Sequence, residues 1–221
     1  MFGKILRFCV GVLMLPISTG VAYAFYRQVA AIQQVRTPEL TFLFGITIYL
    51  AFHVLVGAPT RAYVFGHELM HAAAAWISGG QVKGFKVGSK KGSVKTDKIT
   101  GFVALAPYLI PIYAILWAVL YGAAALFWDV KRWSGFFFLM LGAAFTFHLV
   151  FTVTALKEKQ TDMDVLGPLI SLNLILIGNI TIVVGVIALM IPEVRFMVYL
   201  LDGFRYSKEF YQAVITQLFA I

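Results

Sequence analysis

Two imidazoles and a carboxylate stand together in His67-Glu68-Leu69-Met70-His71. On a helix, residues four apart share a face, so His67 and His71 can close on one metal ion while Glu68 serves as general base toward a water that the ion activates. The pentapeptide has the HExxH pattern and uses two of the chain's four histidines. Zn2+ is the expected ion, because imidazole suits it and hydrolysis needs no redox chemistry. Hydrolytic zinc takes three protein ligands and keeps one position open, so a third ligand has to come from elsewhere in the chain.

Depth along the helices ranks the candidates. Counted at about 1.5 Å per residue from a helix start near Arg61, His67 and His71 lie roughly 9–15 Å inside. His148 stands at a similar depth, about 12 Å from the C-terminal end of its own helix. Asp162 and Asp164, in Gln160-Thr161-Asp162-Met163-Asp164, sit at a helix mouth and come second on depth. Carboxylates there also serve as helix-start caps. His53 reads as a core histidine.

The elements that must position these residues are set by an unusual composition. Of 221 residues, 61% are hydrophobic and 13% charged, and mean hydropathy is +0.87. A soluble domain is about half apolar and a quarter charged, so a cytosolic globule is excluded. High apolar content and a single cysteine, Cys9, also exclude disorder and a disulfide scaffold. The expected fold class is an all-α multi-pass membrane protein. Net charge is +8, which in a membrane protein signals topology and contact with anionic lipid headgroups rather than nucleic acid.

Apolar runs at about 8–26, 40–58, 62–79, 101–128, 134–156 and 165–191 each approach the roughly 17–25 residues of a span, giving about six transmembrane helices. We read the first, which follows Lys4 and Arg7, as an uncleaved anchor, although Ala22-Tyr23-Ala24 has the form of a signal-peptide cleavage site. Gly57-Ala58-Pro59 ends the second, and Thr60 can N-cap the third, which stops at Gly79-Gly80. Among the ten acidic residues, Glu68 alone lies deep in an apolar helix. A carboxylate there is costly and points to a site.

The one long polar segment, 81–99, holds six lysines against Asp97. Val82, Phe85 and Val87, then Ser89-Lys90-Lys91-Gly92, then Ser93-Val94-Lys95 predict a short β-hairpin, whose edge can take up an extended peptide. Pro107 and Pro111 break the fourth helix and imply a cavity beside it. Parity then sets the lysine-rich loop and the 157–162 loop at one membrane face and the start of the third helix at the other. Arg195 to Ile221 reads as an amphipathic, interfacial tail. The chain is expected to form a single integral membrane domain over 1–221, with its catalytic core at 61–170.

The HExxH helix with its Gly-Gly end, the basic hairpin-like loop and the Pro-containing helix after it resemble the site-2 protease family of intramembrane zinc metalloproteases, in its compact bacterial and plant branch. The resemblance implies that His67 and His71 ligate zinc, that Glu68 activates the water, and that the substrate is a membrane-embedded protein or peptide. It also implies a location in the bacterial cytoplasmic membrane. In the compact branch the aspartate of a Ser-Asp-Ala-like segment is a candidate third ligand, and the nearest match is Thr161-Asp162-Met163. Resemblance thus favours Asp162 where depth favours His148, and both stay open. Better-known members place an Asn-x-x-Pro segment before Leu-Asp-Gly. Leu201-Asp202-Gly203 lacks that segment here, and Ala106-Pro107 stands in place of the usual Gly-Pro.

The expected activity is metalloendopeptidase cleavage of a locally unwound membrane helix. The alternative is a noncatalytic membrane subunit that docks a partner through its basic loop, with a structural or vestigial metal site. A transporter, suggested by the broken fourth helix, ranks last because the two halves of the chain do not resemble each other.

Overall fold

The computed structural model describes residues 2–89, 91–158 and 161–219. Lys90, expected in the hairpin turn, and Lys159 and Gln160, before the acidic turn, lie outside them, as do the last two residues of the tail. The chain is mostly helical with one small sheet. Where the sequence suggested one domain, it divides into two compact units, residues 1–35 with 166–221 and residues 36–165. The boundaries fall where helix cannot continue: an irregular stretch at 32–36 and Gly167, whose φ of +98° favours glycine. The expected 61–170 core therefore runs slightly past a unit boundary.

The first unit contains α1 (Phe2–Leu13), α2 (Leu15–Ala30), α8 (Pro168–Met190) and α9 (Phe196–Phe219). Asn173 ties α8 to its neighbours: its Oδ1 accepts from Ser18 and its Nδ2 donates to the Gly11 carbonyl. The expected interfacial tail is a single helix laid antiparallel along α2. Gly203 faces Val21 and Ala24, Ser207 faces Ile17 and Gly20, and Tyr211 bonds the Leu13 carbonyl. Small residues at this crossing let the two backbones approach closely.

The second unit contains α3 (Thr37–Leu55), α4 (Thr60–Ile77), β1 (Val82–Val87), β2 (Gly92–Thr96), α5 (Gly101–Leu109), α6 (Ile112–Ala125) and α7 (Ser134–Lys157). The predicted hairpin is present: β1 and β2 pair antiparallel, with Phe85 opposite Val94 and Val87 opposite Gly92. Helix α4 ends as expected. Gly79, at φ +75°, donates to the Trp76 carbonyl and Gly80 to that of Ala75. At its start, Pro59 takes the cap position and Thr60 is already helical, so the threonine makes no cap. Pro107 is accommodated within α5, and the chain bends by 69° between Leu109 and Ile112.

Four helical segments among the described residues are long and apolar enough to cross a membrane: 2–30, 37–55, 131–157 and 168–190. The bent α5–α6 pair makes a fifth if it counts as one span. Helix α4 is not among them, because Arg61, His67, Glu68 and His71 dilute its hydropathy. Packing is consistent with the bent pair as one crossing and α4 as none. Tyr49 meets Phe147 and His53 meets Phe151, so α3 and α7 run parallel. Two helices that cross a bilayer in the same direction need an odd number of crossings between them, whereas six spans would put two there. Parity, which assumed α4 to cross, is corrected accordingly: Thr60, at the start of α4, lines one cavity together with Glu158, just past the end of α7.

Candidate metal centre

Helix α4 presents His67 and His71 on one face with their Nε2 atoms 3.2 Å apart. The third side chain at this point is Asp162, carried by the 3-10 turn Thr161–Asp164. Its Oδ2 lies 3.5 Å from each Nε2. These three residues form the one group of His, Cys, Asp or Glu among the described residues whose ligand atoms converge closely enough to share an ion. A tetrahedral site with metal bonds of about 2.0–2.1 Å has ligand-to-ligand edges of about 3.3–3.4 Å, close to the triangle found here.

Each of the three side chains is oriented from behind. The Nδ1 of His71 lies 2.8 Å from the Val103 carbonyl. A carbonyl only accepts, so Nδ1 carries the proton and Nε2 faces the triangle with its lone pair, or with a second proton paired to Asp162. In both cases positive charge belongs at the centre. His67 Nδ1 lies 3.2 Å from the Tyr63 hydroxyl, which can accept from the same tautomer. Tyr108, fully buried, donates to Asp162 Oδ2 at 2.8 Å. Burial pushes the Asp162 carboxyl up, but the His67 and His71 imidazoles beside it and the hydrogen bond from Tyr108 outweigh it and hold the carboxyl well below the usual carboxylate range. That direction favours the anionic form, the form in which a carboxylate can bind a metal.

Glu68 is buried beside the triangle. A cavity of about 630 Å³ joins it to His67, His71 and Asp162, and β2 supplies one wall from Gly92 to Thr96. A second cavity of about 420 Å³ runs from His67, Glu68 and Gly92 toward Thr60, Thr154 and Glu158. The two share His67, Glu68, Gly92 and Thr161.

Of the two third-ligand candidates, the structure brings Asp162 to the histidine pair and leaves His148 outside the group. His148 lines a separate cavity of about 20 Å³, along with His67, Pro107 and Tyr113. This is the cavity expected beside the prolines, but it is only the size of a water. Depth placed Asp162 second, but α4 begins at the end where α7 stops, so His67 is only two helical turns from the level of the 3-10 turn. His53 bonds Tyr49 and packs on Phe151, as a core histidine does. Asp202 pairs with Arg205 within α9.

Sequence reasoning gave no site role to Tyr63, Tyr108 or Gly92. Tyr63 had a visible signal, since it lies four residues before His67 on the same helical face. The other two had none, because their partners are set by the return of α5 and of the hairpin onto α4.

No protein-family model matches the chain, and no curated protein or solved structure does.

Proposed function

We propose that this chain is an integral membrane, multi-pass zinc metalloendopeptidase that hydrolyses peptide bonds of membrane-embedded substrates. The observation that carries the proposal is a three-ligand triangle, His67, His71 and Asp162, with edges of 3.2–3.5 Å and a buried glutamate in the same cavity. Three ligands rather than four leave a position open, and this favours a catalytic over a purely structural site.

A zinc ion held there would lower the pKa of a bound water to about 7 and polarise a substrate carbonyl. The protein's own groups do the rest. Glu68 takes the proton from the attacking water and returns it to the leaving amine. Tyr108 holds Asp162, and the Val103 carbonyl and Tyr63 hold the two imidazoles, so that the ligand atoms are in place before metal arrives.

A substrate helix hides its amides in internal hydrogen bonds and has to unwind before cleavage. The edge of β2 that is not paired with β1 borders the 630 Å³ cavity, where an unwound segment can add as a strand. Lys83, Lys86, Lys91, Lys95 and Lys98 are all exposed around this hairpin, which suits contact with anionic headgroups of a cytoplasmic membrane. Glu68→Gln tests the mechanism. The variant should keep its zinc and lose cleavage by about 10²–10⁴-fold; cleavage at the parent rate would refute it.

A further inference from the structure

The 630 Å³ cavity has two kinds of wall. His67, Glu68, His71 and Asp162 line one part of it, and Val94, Ile99, Ala104 and Val165 line another. The elements that hold the candidate metal group bring these apolar side chains with them. Val103, whose carbonyl bonds His71, is followed on α5 by Ala104. Val165 closes the turn that carries Asp162, since its N–H donates to the Asp162 carbonyl at 3.4 Å. Among the described residues lining the cavity, the one charge outside the site itself is Lys95. It is exposed, as is Ser93, whereas Val94 and Thr96 are half-buried, so the alternation of β2 sets the lysine on the strand's outer face.

The sense of the strand decides which part of a substrate meets the apolar wall. β2 runs beside α4 in the same direction: Gly92 lies against Glu68, and Lys98, just past the strand, lies against Gly80, just past the helix. Ala104 stands on the His71 side of Glu68, hence toward the C-terminal end of β2. Antiparallel pairing is the more stable per residue. A segment added to β2 in that sense places its N-terminal part toward Thr96 and Ala104, so the side chain over Ala104 belongs to the residue whose carbonyl is attacked. An aliphatic side chain gains by leaving water there, while a charged or polar one loses its hydration without a partner.

We propose that Ala104 and Val165 select an aliphatic residue larger than alanine, such as leucine, on the acyl side of the scissile bond. This inference rests on the endopeptidase reading above and names the class of bond that the site would cleave. Ala104, 4% exposed, contributes only a methyl group to the wall. A larger residue at 104 would take up the space that the substrate side chain fills. One methylene more or less in an apolar pocket changes discrimination by about 10–200-fold.

The test measures binding and cleavage separately, on zinc-loaded full-length protein in detergent. The binding probes are the N-acetylated hydroxamates of leucine, alanine and aspartate, which chelate zinc and carry their side chain on the acyl side. The leucine compound should bind at least about 10-fold more tightly than either of the others. Ala104→Leu should invert the order of leucine and alanine while leaving the alanine Kd within a few-fold. Val165→Ala should weaken the leucine preference several-fold, and it carries the test alone if melting shows that Ala104→Leu does not fold. Equal Kd values for leucine and alanine in the parent overturn the proposal, and so does a leucine-to-alanine ratio that neither variant changes. For cleavage, a transmembrane peptide of alternating leucine and alanine is digested and its products are weighed by mass spectrometry. Cuts should follow leucine, and cuts that follow alanine as often overturn the proposal. Graded hydroxamate binding without any cleavage would instead refute the endopeptidase reading and leave the pocket's preference standing.

Discussion

Gly92 lies directly against Glu68: a Cβ at position 92 would stand 2.5 Å from Glu68 Cγ and 2.7 Å from Oε1. The first residue of β2 is thus the surface on which the buried carboxylate rests, and it is also where the two cavities meet. Any side chain there displaces Glu68 from the place where it would meet water.

Gly92→Ala should therefore impair catalysis without emptying the metal site. Misplacing a reacting group by about 1 Å can cost on the order of 100-fold, which is the loss expected in kcat. Zinc content and melting temperature should stay near those of the parent. A variant with unchanged kcat would show that the hairpin does not hold the base.

Tyr108→Phe keeps the buried ring and removes the hydrogen bond to Asp162. Loss of a hydrogen bond from behind a metal ligand typically costs 10–100-fold in affinity, so zinc should move to a competing chelator at about that much lower chelator concentration. Because Asp162 is also held by its position in the 3-10 turn, Tyr108→Phe should still bind zinc at saturating concentration.

Helices α3 and α7 touch through bare backbone. A Cβ on Gly45 would stand 2.0 Å from the Leu139 carbonyl oxygen, and one on Gly142 would stand 2.2 Å from that of Phe42. Backbone cannot yield as a side chain can, so Gly45→Ala and Gly142→Ala should each destabilise the protein by about 1–3 kcal/mol. A lowered melting temperature in detergent is the readout, with Gly122→Ala, which meets nothing within 4 Å, as the neutral control.

Much of this architecture was written in local sequence. The HExxH spacing, the Gly79-Gly80 stop and the turn residues before Ser93 each act over a few positions, and each gave the expected element. Fewer helices than the expected six are long and apolar enough to cross a membrane, for a physical reason: α4 looked apolar by its alanines and aromatics, yet its charged and histidine residues remove it from that set. The third member of the candidate metal group was legible only as a choice between His148 and Asp162. Helical depth could not reveal that α3 and α7 run parallel, nor that Tyr108, carried by α5 where it returns against His67 of α4, bonds Asp162 beside the histidines.

Zinc should stabilise the fold by mass action, since the three ligands come from α4 and from the turn Thr161–Asp164, far apart in the unfolded chain. At a free concentration 100 times Kd the gain is about 2.7 kcal/mol. Titrating zinc into chelated protein should raise the melting temperature of the parent but leave that of His67→Ala, His71→Ala double-substituted protein unchanged. An equal rise in both would place the binding elsewhere.

The zinc content of purified protein, measured side by side for the parent, Asp162→Ala and His148→Ala, tests the central claim most directly. The expected result is about one zinc per chain in the parent and in His148→Ala, and its loss in Asp162→Ala. Zinc retained by Asp162→Ala and lost from His148→Ala, or no zinc in the parent after reconstitution, would contradict the assignment of the metal to His67, His71 and Asp162.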